Sequence, residues 1–175
     1  MNTPFDLNRA FNQASSRSPA LATSLMLALM ILFALTNVSM ADEPVSKRFF
    51  GNVAIEGHDS VAYHQSHEAG KHEAAVGEPD FTAEYKGAVW RFASAKSRDQ
   101  FRADPDRYAP AYNGHCANAL ALGEGLIGTD GTHWEIFGDK LYLFYADRGR
   151  QRWLVADDFR VYKNQADQAW AGLIK

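Results

Sequence analysis

The chain has 175 residues, with 18 Lys and Arg against 21 Asp and Glu and a formal charge of −3. That balance excludes the basic face that nucleic-acid binding demands, and it gives no pull toward an anionic membrane. A single cysteine, Cys116, excludes an intramolecular disulfide framework.

Arg9 and Arg17 precede an uncharged run, Ala20 to Leu35, and Ser39 and Ala41 put small residues at the −3 and −1 positions of a cut after Ala41. Positive flank, apolar centre and small-residue exit predict a secretory signal over 1–41 and a periplasmic or secreted protein. The alternative is an uncleaved anchor, because the run approaches the roughly 20 residues of a spanning helix; only then would the chain touch a membrane. Residues 42–52 read as a leader. A single domain is expected over 53–175, long enough for one core.

Gly51 to Gln65 mixes short apolar alternation with Gly57 and Asp59, which suits a strand-turn or a turn into a short helix. Ser66 to Asp80, with Gly70, Gly77 and Pro79 among charges, reads as an exposed loop. His64 and His67 are spaced to share a helix face, but the charges around them favour a solvated loop. In "FTAEYKGAVWRFAS" apolar residues alternate on both sides of Lys86-Gly87, the pattern of a half-buried hairpin. Ser94 or Ser97 then caps a helix with Phe101 on its buried face, ended by Asp104-Pro105.

"NGHCANALALG" predicts a short helix capped by Asn113 or Gly114, with Cys116 in its first turn. "GEGLIGTDG" is a turn-rich connector. A second hairpin turns at Gly138-Asp139, and Phe144 and Trp153 follow Asp139 at the intervals by which Phe92 and Phe101 follow Gly87. Ala166, Ala169, Trp170 and Leu173 place a closing helix at the end. The expected fold is a small single α+β domain: two β-hairpin-plus-helix units with a C-terminal helix, joining Trp90 and Phe92 with Tyr142 and Phe144 in one core.

The strings "YKGAVWRFASAKSRDQFRADPDRYAP" and "YNGHCANAL", with "GHDSVAYH" before and "GDKLYLFY" after, resemble the YHS-domain family in its exported, single-domain bacterial form. The resemblance runs from about Val53 to Ile174. It implies a small α+β domain and says little about activity. Metal-binding relatives carry cysteines where this chain has Ala93 and Ser97, so a thiolate site of their kind is not expected. Many exported relatives carry tyrosine where this chain has His58 and His115.

An unpaired thiol in an exported chain is buried, reactive, ligand-bound or shared between chains. Cys116, with His115 or His58 as second donor, forms a candidate soft-metal site, and copper is the ion that thiolate plus imidazole suits. The competing expectation is a buried thiol in a protein-interaction module. A third is a thiol enzyme using Cys116, a histidine and Asp59. No G-x-S-x-G or H-E-x-x-H string accompanies them. Asp59 either orients an imidazole or caps the turn that follows it. The expected function is a non-catalytic exported domain with a metal or small ligand near Cys116.

Overall fold

The hairpin at Lys86-Gly87 forms where the apolar alternation places it. In the computed structural model, which describes residues 43–47 and 51–175, β1 (Glu78–Tyr85) pairs antiparallel with β2 (Ala88–Phe92). The signal expected over 1–41, and with it the anchor alternative at Ala20–Leu35, lies outside the described residues. No helix among the described residues is long and apolar enough to cross a membrane.

A 3-10 turn at Ile55–Gly57 leads into α1 (Ser60–Glu68), and the first hairpin follows. Ser94 caps α2 (Ala95–Ala103) by accepting the Ser97 N–H, as its position before the helix predicts. Asp104 ends α2 and caps α3 (Pro105–Tyr108), where Pro105 occupies the first turn that proline tolerates. A second 3-10 turn, Ala111–Gly114, then leads into α4 (Ala117–Ala121). The connector carries no regular element, and β3 (His133–Phe137) pairs with β4 (Lys140–Phe144) around Gly138-Asp139. The chain closes with α5 (Asp147–Leu154) and α6 (Arg160–Leu173). The fold is the expected α+β class, with one two-stranded sheet in each half.

Three expectations are corrected. The core is two clusters rather than one. Trp90, Phe92 and Phe101 pack with Trp134, Leu141 and Leu143, whereas Tyr142 and Phe144 pack with Trp153, Leu120 and Tyr112. The cause is β4, which is buried on both faces from Leu141 to Phe144 and so parts the two clusters. His64 lies on α1, buried, not in a solvated loop; of the two imidazoles only His67 faces water. Finally, part of the segment read as a leader is an element of the fold. Val45 and Ser46 are buried, the Ser46 N–H donates to Asn113 O, and Ser46 O accepts from the Ile55 N–H. Glu43 accepts from Lys86 and Asn113, so this strap bonds to both halves.

Candidate functional site

The two halves repeat one device. In the first, Ile55, Glu56 and Gly57 all have positive φ, and the chain then turns through His58 into Asp59. In the second, Tyr112, Asn113 and Gly114 do the same before His115 and Cys116. A β-branched residue at φ 42°, as at Ile55, is costly, and it persists because the surrounding packing holds it. There is no room to relax: a Cβ on Gly114 would collide with Ile55 Cγ2.

Asp59 and Cys116 end these turns in matched positions. Asp59 N donates to Ala75 O, and Cys116 N donates to Ile127 O, both at 2.8 Å. Asp59 Oδ1 accepts from the N–H groups of Val61 and Ala62 at the start of α1, and its Oδ2 accepts from Ala93 N at 2.9 Å. Cys116 Sγ accepts from Ala119 N of α4 at 3.4 Å and from Tyr145 N at 3.3 Å. Ala93 and Tyr145 each follow directly on the second hairpin strand of their half. Cys116 is therefore itself the N-cap of α4. The expectation of a cap at Asn113 or Gly114, with Cys116 inside the first turn, is corrected by this geometry.

Cys116 is 3% exposed and lines a cavity of about 140 Å³. Asn118, Tyr145, Arg148, Gly149 and Arg152 contribute to the walls, and Arg152 Nη1 donates to Asn118 Oδ1 at 3.0 Å. A space of that size holds an ion or a few waters.

His115 and His58 sit elsewhere. His115 is buried, with Nδ1 3.0 Å from Tyr112 O and its ring 6.0 Å from Trp170 of α6. Burial lowers its pKa, partly offset by the Tyr112 carbonyl. Tyr112 fastens that corner through its hydroxyl, which donates to Asp167 Oδ1 at 2.8 Å. Burial, then this bond, pushes the phenol well above its ordinary range. His58 belongs to the first half, with Nδ1 3.3 Å from Ile55 O, and its ring lies so close to Gly131 that a Cβ there would collide with it. Neither ring lines the Cys116 cavity. Both use Nδ1 against a carbonyl, so a ligand bond would come from Nε2. Among the described residues, no group of three or more His, Cys, Asp or Glu could hold a metal ion.

Residues 74–112 match the family model of the YHS domain. The chain carries a YHS domain. No curated protein and no solved structure matches the chain. The YHS match takes in the first hairpin with α2 and α3 and stops just before Cys116, so the site lies in the half that repeats the YHS geometry outside the matched residues. Within the YHS domain, the two positions where metal-binding relatives carry cysteine do other work. Ala93 gives its N–H to Asp59, and Ser97 bonds back to Ser94 through both its N–H and its hydroxyl. A thiolate metal site of that kind does not fit these residues.

His64 is the group that sequence patterning hid. Its ring meets Tyr108 edge-on at 5.4 Å, a tertiary contact with no local signature. The one local hint was the spacing of His64 and His67, which does correspond to a helix.

Proposed function

We propose that this chain is an exported, non-catalytic YHS-type domain that holds a soft ligand at Cys116, with copper(I) as the ion. The carrying observation is that the Cys116 side chain lines a cavity instead of being enclosed by side chains on every side. Two backbone N–H groups fix the sulfur in place, and a soft thiolate donor selects copper(I) over harder ions. His115 and His58 remain the named second donors, through Nε2 and by rotation or approach of the ring.

A second reading draws on the match between Asp59 and Cys116. If the carboxylate in one half is a structural clamp, the thiol in the other can be one too, and the domain is then an interaction module with a buried cysteine. A thiol enzyme is the weakest of the three, because it needs an imidazole on the sulfur and neither His58 nor His115 lines the Cys116 cavity.

Copper(I) titration against a competing chelator separates them, using the protein cut after Ala41 and its Cys116→Ser, His115→Phe and His58→Phe variants. Loss of tight binding in Cys116→Ser supports the ligand reading, and loss in either histidine variant names the second donor. Equal binding by wild type and Cys116→Ser leaves the structural clamp.

A further inference from the structure

His64 is the buried titratable group that the Cys116 site does not use. It is 7% exposed on α1, and its Nε2 is buried without a hydrogen-bond partner. The charges that face it are mainly positive: Arg107 from α3, Lys140 from β4 and His67 from its own helix, against Glu68 as the single anion. α2 also packs on α1, bonded through Gln65 to Gln100, and none of its charged residues is among the groups acting on His64. β2, which also packs on α1, carries one charged residue, Arg91. Burial first, then Arg107 and Lys140, holds the imidazole neutral down to a pKa of about 4.

The helix next to His64 leads to the site. α3 is a single turn, and Lys140 Nζ holds it by donating to the carbonyls of Asp106 and Ala109, each at 2.7 Å. From Ala109 the chain passes through Pro110 into the turn Ala111–Gly114 and then to Cys116.

We propose that His64 is an acid-sensitive latch. Once protonated, its Nε2 has no acceptor in the pocket and it faces the cations Arg107 and Lys140, so it leaves, freeing α3 and the turn that carries Cys116. The latch is closed at neutral pH. The open form binds a proton that the closed form refuses, so the open-to-closed ratio grows about tenfold for each pH unit below 6.5, until pH about 4. The latch operates whether or not the sulfur holds a ligand.

The test is the rate at which Cys116 reacts with 4,4′-dithiodipyridine, a disulfide that stays reactive in acid. It is followed from about pH 7 to about pH 4.5, relative to free cysteine under the same conditions. Wild type should accelerate about tenfold per pH unit, and hydrogen exchange over 105–115 should rise with it. His64→Phe should be flat. Arg107→Gln removes an exposed cation that opposes protonation of the closed form, so its rise should still begin near pH 6.5 but level off at higher pH, with a smaller total gain. A flat wild-type profile overturns the proposal, as does an equal rise in His64→Phe, which would place the proton elsewhere, His115 included. Should His64→Phe not fold, an unmoved profile in Arg107→Gln overturns it alone.

Discussion

Asp59 and Cys116 hold equivalent places in the two halves, each capping a helix and each taking the N–H that follows the second hairpin strand. An oxygen acid and a sulfur acid thus perform one backbone task in two chemical forms. The carboxylate accepts three N–H groups and the sulfur two, at longer range.

The difference sets the ranking of two substitutions. Asp59→Ala strips a cap and leaves buried N–H groups unpaired, which should cost about 2–4 kcal/mol. Cys116→Leu, which has no acceptor, should cost about 1–3 kcal/mol, while Cys116→Asp should keep a cooperative melt because the first half already uses that side chain there. Urea unfolding of the three variants measures this. A Cys116→Asp protein that fails to fold contradicts the equivalence.

Phe101 is 1% exposed and meets Trp90, Phe92 and Tyr85 within 5.7 Å of ring centroids. Phe101→Ala should destabilise by about 3–5 kcal/mol. Trp153, its counterpart in the second cluster, should behave alike, since it contacts Phe137, Tyr142 and Phe144. A loss below about 1 kcal/mol at either position would show the ring to be peripheral.

The strap should respond to acid. Hydrogen bonds from Lys86 and then Asn113 hold Glu43 below its ordinary 4.5. A carboxylate lowered on folding contributes stability above about pH 4.5, and that contribution is lost as pH falls through the folded value. Glu43→Gln should therefore flatten the acid limb of the stability curve and cost about 0.5–1 kcal/mol near neutrality, reduced by salt. Exchange protection at the Ser46 amide reads the strap directly, and an unchanged amide would show that Glu43 does not fasten it.

Chelation should leave folding untouched. Ala93 offers no side-chain donor, and the Ser97 hydroxyl is bonded to Ser94 O. Melting of the purified Cys116→Ser domain, which lacks the proposed copper(I) ligand, is expected to coincide with and without a strong chelator, and a metal-dependent transition there would contradict the assignment of these positions.

Much of this arrangement could be seen in the residues alone, and the rest failed for definable reasons. The first hairpin and its Ser94 cap follow from alternation and an ordinary capping side chain, and Asp59 caps as its type suggests. Cys116 as a cap was missed because sulfur is not among the usual capping groups. The two-part core was missed because Leu141, Tyr142, Leu143 and Phe144 are all apolar, so no alternation reveals which face meets which cluster. His64 was misplaced because Glu68, Lys71 and Glu73 dominate its neighbourhood in sequence, while Tyr108 covers it in space. The strap has no periodicity, and its bonds reach residues far along the chain.

The double-sided burial of β4 bears on how the protein can change over generations. β2 alternates buried and half-buried residues, so Val89 and Arg91 can drift while Trp90 and Phe92 stay. β4 offers no such freedom between Leu141 and Phe144, since every side chain there is committed to one cluster or the other. Two hairpins of the same plan should then diverge at unequal rates, the first recording mutations on its outer face and the second remaining nearly fixed from turn to end.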